Sequence, residues 1–221
     1  HGELDRCGHL PQEALEGSKH EVEALLSLPT CPDHPDILGR TPLLNAALRG
    51  HLVVVQTLCE AGACADKASP NGRTPLFNAS REGHADVAKF LLSIGADRDM
   101  VRRDGATPVF AASQHGHAEV VKLLLDVRVD TDMAMQEVGT PLFAASQEGH
   151  VEVVQLLLAA GADIDKATEE GATPLFIASQ EGQVEVVRLL LDKRADMDKT
   201  TEDDDATPLC IASLMGEAEV V

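Results

Sequence analysis

TPLFAASQEGHVEVVQLLLAAGAD, residues 140–163, and TPLFIASQEGQVEVVRLLLDKRAD, residues 173–196, are nearly the same text set 33 residues apart. A Thr-Pro-Leu or Thr-Pro-Val opening stands at Thr41, Thr74, Thr107, Thr140, Thr173 and Thr207, at spacings of 33, 33, 33, 33 and 34. A fixed period of this length marks a repeat array. Counting back 33 from Thr41 reaches Gly8, where LPQEALEGSKHEVEALL keeps apolar beats at Leu10, Ala14, Val22, Leu25 and Leu26 but lacks the Thr-Pro pair. We read residues 8–40 as a degenerate first repeat, because a terminal repeat meets water on one face. The full repeats then run 41–73, 74–106, 107–139, 140–172 and 173–206. A truncated one covers 207–221, and the expectation is a single domain over 1–221.

Within residues 140–172, Thr140 suits an N-cap and Pro141 the first helical position, where no backbone donor is needed. Leu142, Ala144 and Ala145 lie along a short helix ending at Gly149. Val151, Val154, Leu157 and Leu158 recur at helical spacing and predict a second amphipathic helix. Gly161 sits where the left-handed residue after a helix belongs. ADIDKATEEGA holds turn formers and no apolar beat, so it reads as an extended loop or hairpin. Helices this short are marginal alone. Stacking copies gives each one a wall to pack against.

The pattern TPLFxASxxGHxxVVxxLLxxGAD resembles the ankyrin repeat, strongly over 41–221 and weakly over 8–40. The resemblance implies an all-α solenoid of helix–turn–helix units joined by β-hairpin or loop fingers, which acts by binding other proteins. Many ankyrin repeats carry His after Thr-Pro-Leu. Here Leu44, Phe77, Phe110, Phe143, Phe176 and Cys210 take that place, so an apolar contact is expected instead.

The chain has no Trp or Tyr, and four of its five Phe occupy that one repeat position, which makes them core. The net charge of −19 is unevenly spread: residues 1–106 carry −4 and residues 107–221 carry −15. Such a surface argues against nucleic acid, whose phosphates require Lys and Arg, and favours solubility and basic partners. The five cysteines, Cys7, Cys31, Cys59, Cys64 and Cys210, follow neither the repeat nor a zinc spacing, which points to reduced thiols in an intracellular protein. A cytoplasmic location is expected, with the nucleus also open. No signal peptide or membrane span is visible. The chain opens on His1 and stops within the last repeat's expected second helix, so we expect a piece of something longer.

No chemistry emerges from the motifs. His51, His84, His117 and His150 recur one per repeat after a glycine and cannot converge on one ion. The pairs Asp97/Asp99, Asp130/Asp132, Asp163/Asp165 and Asp196/Asp198 lack the glycine and the bidentate Glu of a calcium loop. They read as turns, and EDDD at 202–205 as a hydrated charge run. There is no phosphate loop or nucleophile elbow. The expectations are no catalytic, cofactor or metal residue and no enzymatic activity.

In the resemblance, recognition falls on the finger tips and the exposed face of the first helix, where these copies differ. Carried over by place, the candidate partner-binding residues are Arg49, Arg81, Gln114, His115, Gln147, Glu148, Gln180, Glu181, Leu214 and Met215 on the helices. On the fingers they are Arg73, Arg103, Glu169, Glu170, Glu202 and Asp203. Early tips are basic and late ones acidic. The expected partner is another protein with a basic segment, bound by a monomer without nucleic acid or membrane insertion. The alternative is a regulatory or targeting arm of a larger enzyme or channel whose chemistry lies elsewhere.

Overall fold

The computed structural model describes residues 8–28, 30–135, 138–202 and 205–220. They divide into two compact units, His1–Arg103 and Asp104–Val221. The first holds helices α1 (Leu10–Glu16), α2 (Lys19–Leu26), α3 (Pro42–Arg49), α4 (Leu52–Glu60), α5 (Pro75–Glu82) and α6 (Ala85–Ser93). The second holds α7 (Pro108–Gln114), α8 (Ala118–Asp126), α9 (Pro141–Gln147), α10 (Val151–Ala160), α11 (Pro174–Gln180), α12 (Val184–Asp192) and α13 (Pro208–Met215).

The Thr-Pro pair starts each first helix by the mechanism its chemistry suggests. Thr41 Oγ1 accepts a hydrogen bond from Leu44 N at 3.2 Å, and Thr74 from Phe77 N at 3.1 Å. Thr107, Thr140, Thr173 and Thr207 repeat the bond at 3.1–3.3 Å. Helix α1, without the pair, has His9 as N-cap and no side-chain bond there. It still forms, with Leu10 and Ala14 fully buried, and in α2 Val22 is buried while Leu25 and Leu26 are half-covered.

First and second helices bury different amounts. In α7, every residue from Pro108 to Ser113 is buried. In α10 only a stripe is: Val153, Val154 and Leu157, with Val151 and Leu158 half-exposed. The periodicity alone points to Val151 and Leu158; Val153 replaces them because within this unit the first helices stack on one another and on their own second helices, whose outer face stays in water. Each fully buried leucine contributes roughly 1.5–3 kcal/mol, an upper bound because the unfolded chain is already partly compact. Phe77, Phe110, Phe143 and Phe176 are core, as is Leu44, whereas Cys210 is exposed.

The fingers are tight turns. Among the described residues there is one isolated bridge, Met135–Gly139, and no strand ladder. A backbone bond closes four of these turns: Asp36 N to Arg40 O, Ser69 N to Arg73 O, Thr168 N to Ala172 O and Thr201 N to Ala206 O, at 2.9–3.2 Å. The same side chains also accept from the far end of the turn. The Asp-x-Asp pairs work likewise. Asp99 N donates to Asp97, and Asp97 N donates to Asp66 of the repeat before, at 2.9–3.0 Å. Asp163 and Asp196 reach back to Asp132 and Asp165 in the same way.

Candidate interaction surface

Two links fix where one repeat's exposed edge lies against the next. The first is a clamp. His51 Nε2 lies 3.1 Å from Leu15 O, His84 Nε2 3.1 Å from Leu48 O, and His150 Nε2 3.2 Å from Gln114 O. A carbonyl only accepts, so Nε2 carries the proton in each. Where Gln183 replaces His, its amide donates to Gln147 O at 2.9 Å. The imidazole covers the glycine ending the earlier helix: a Cβ on Gly50 would come within 2.6 Å of His84. The histidines are therefore structural, and the clamp holds Leu48, Gln114 and Gln147 at the ends of their helices.

The second link stacks the fingers. Arg103 N donates to Asn71 O at 3.4 Å, and Glu202 N to Glu170 O at 2.9 Å. A Cβ on Gly72 or Gly171 would sit about 3.0 Å from the backbone of the next finger. Arg73 and Arg103 are thereby brought together in the first unit, and Glu169, Glu170 and Glu202 in the second.

In the first unit Arg49 and Arg103 are exposed, and Arg73 and Arg81 half-buried. Burial first, then the neighbouring charges of Arg81 and Arg102, lower the Arg73 pKa from its ordinary value, with Glu82 opposing. Arg81 pairs with Glu82 at 3.1 Å, and the Arg102 guanidinium lies 5.7 Å from the Phe77 ring centre. In the second unit Gln114, Gln147 and Gln180 are half-buried, while His115, Glu148, Glu181, Glu169, Glu170 and Glu202 are exposed. His115 and His117 face each other edge-on at 6.2 Å. Leu214 and Met215 are 78% and 51% exposed, so water rather than core meets them. Asp203, with Gln136, Glu137, Asp204 and Cys7, lies outside the described residues.

Sequence reasoning passed over one residue. Asn78 lines a cavity of about 300 Å³ with Arg40 and Arg73. The signal was available: Asn45 and Asn78 stand where later repeats have Ala111, Ala144 and Ile177. Among the described residues no group of three or more His, Cys, Asp or Glu could hold a metal ion, and no helix is long and apolar enough to cross a membrane. The four described cysteines are free thiols.

A family model for ankyrin repeats in three copies matches residues 12–101, 94–168 and 161–221. No curated protein matches the chain. Among solved structures, the human ASB11 ankyrin repeat domain is 30% identical with a TM-score of 0.85, covering 94% of this chain and 95% of that one. The ankyrin repeat domain of Bcl-3, a member of the IκB protein family, is 27% identical with a TM-score of 0.80, covering 95% and 96%. Capped first helices, glycine-ended turns, stacked fingers and these matches agree: the chain belongs to the ankyrin repeat family.

Proposed function

We propose that this chain is a scaffold that holds a partner protein on its finger tips and first-helix ends, and that its C-terminal unit receives a basic segment. Ankyrin repeat domains are protein–protein interaction modules, which supports the general reading. One observation carries the specific one. Glu148, Glu181, Glu169, Glu170 and Glu202 are all exposed on variable repeat positions of one unit, and among the described residues none of them is in an ion pair. The 33-residue period runs unbroken through the unit boundary at 103/104, inside the repeat 74–106, which supports treating 1–221 as one domain. Free thiols fit a reducing, intracellular compartment.

Exposed pairs contribute roughly 0–1 kcal/mol each, so several must act together. Complementary charge acts chiefly on the association rate, which falls as salt rises. Glu148→Lys with Glu181→Lys should weaken binding of a lysine-rich peptide about tenfold at low salt. Glu152→Lys with Glu185→Lys, on exposed second-helix positions, is the control. Equal loss in both pairs would show that overall charge, and not this face, governs binding.

A further inference from the structure

The first unit carries a pocket of the opposite sign. It lies between the first two fingers and helices α3 and α5, with Leu38, Arg40, Leu48, Pro70, Arg73 and Asn78 in its lining. Arg40 already has its anion: its Nε donates to Asp36 Oδ2 at 2.9 Å. Arg73 has none. Its Nε is buried and lacks any hydrogen-bond partner. Asn78 is 4% exposed, and its orientation is set because Nδ2 donates to Leu44 O at 3.2 Å. That leaves Asn78 Oδ1 as a buried acceptor with no donor. An unmet donor and an unmet acceptor in one lining are costly in a folded protein, because each has given up water without gaining a partner. Beside them the finger tip presents Ile37 fully exposed and Leu38 at 61%, an apolar pair with nothing over it.

We propose that this pocket binds an extended acidic segment of the partner, with a Glu or Asp carboxylate on the Arg73 guanidinium and an apolar neighbour against Leu38. A carboxylate gives Arg73 the acceptor it lacks, and a peptide N–H of the same segment gives Asn78 Oδ1 its donor. Burial, and then the charges of Arg81 and Arg102, disfavour the Arg73 cation beyond what Glu82 returns, and an incoming anion offsets them. The proposal rests on the finger and first-helix face being the recognition surface, and it adds a subsite of opposite charge to the acidic one.

The test is a titration of the ¹⁵N-labelled 1–221 chain, read at the Arg73 Nε–H and at the Leu38 and Asn78 amides. The probe is acetyl-Gly-Leu-Glu-Leu-Gly-amide. We expect saturable shifts with a Kd of about 1 mM or tighter, and none with the Gln analogue. Arg73→Gln should weaken binding about tenfold and Asn78→Ala about fivefold. Neither is expected to unfold the finger: the Arg73 backbone is held by Ser69 Oγ, and Ala already occupies the Asn78 position at Ala111 and Ala144. Equal binding of the Gln peptide, or an unchanged Kd in Arg73→Gln, overturns the proposal. So does inorganic phosphate shifting the same signals as strongly as the peptide, since that marks an unselective anion site. The Lys analogue, read at Glu148 and Glu181, reports separately on the acidic face, so either subsite can fail alone.

Discussion

At the scale of single residues, two arginines occupy a backbone conformation made for glycine. Second helices end at Gly62, Gly95 and Gly161 with φ of 88°, 86° and 96°. Arg128 and Arg194 take the same place with φ of 59° and 69°. A Cβ there costs roughly 1 kcal/mol relative to glycine. Arg128→Gly and Arg194→Gly should each stabilise the chain by about that much in urea melts, and a loss in both would mean that the arginine side chains make contacts worth more than the strain. The cysteines give a second prediction. Burial, then the charges of Asp33 and Glu60, push the Cys59 thiol up to about 11. Cys210 is exposed, and hydrogen bonds from the Thr207 hydroxyl and backbone hold its pKa below the ordinary thiol value. The thiolate is the reacting form. Iodoacetamide at neutral pH should therefore alkylate Cys210 well before Cys59, and its rate at Cys59 should climb only as the pH approaches 11. Mass spectrometry of peptides after brief exposure decides it.

At the scale of elements, the clamp between repeats is the part most open to test. His84→Ala removes one hydrogen bond and should cost about 1 kcal/mol. His84→Gln should be nearly neutral, because Gln183 makes the equivalent bond. Gly50→Ala adds a left-handed Cβ and a collision with the imidazole, so about 2 kcal/mol or more is expected. In the double variant with His84→Ala part of that cost should vanish, and strict additivity in melts would show that ring and glycine are not coupled. Much of this element was legible beforehand. The Thr-Pro caps, the helix ends and the aromatic core follow from local rules and a period, because each is satisfied inside one repeat. The clamp and the finger stacking were not, since they join atoms 31 to 36 residues apart and depend on stacking distance, which no single repeat encodes. The same limit hid the pocket at Asn78. An asparagine among alanines stands out in the alignment of the copies, but its orphaned oxygen is visible only in the folded structure.

At the scale of the molecule, stability should fall toward the last repeat. In the 1–221 chain, α13 packs on α11 but leaves Leu209, Leu214 and Met215 more than half exposed. Residues 218–220 form a turn, and a cavity of about 270 Å³ is lined by Leu175, Leu209 and Val220. In an array whose units hold one another, a unit with one good interface opens first. Hydrogen exchange in a monomeric sample should be faster in α13 than in any other first helix; protection equal to that of α9 would refute this. The spacing of 34 between Thr173 and Thr207 has a further bearing. The extra residue is absorbed within the finger, where Asp205 adopts a φ of 48°, and Glu217 still comes to rest over Gly182 as the earlier histidines rest over their glycines. The finger therefore acts as an expansion joint: a residue added at this tip leaves Glu217 over Gly182, whereas one added inside a helix pair would carry that contact out of register.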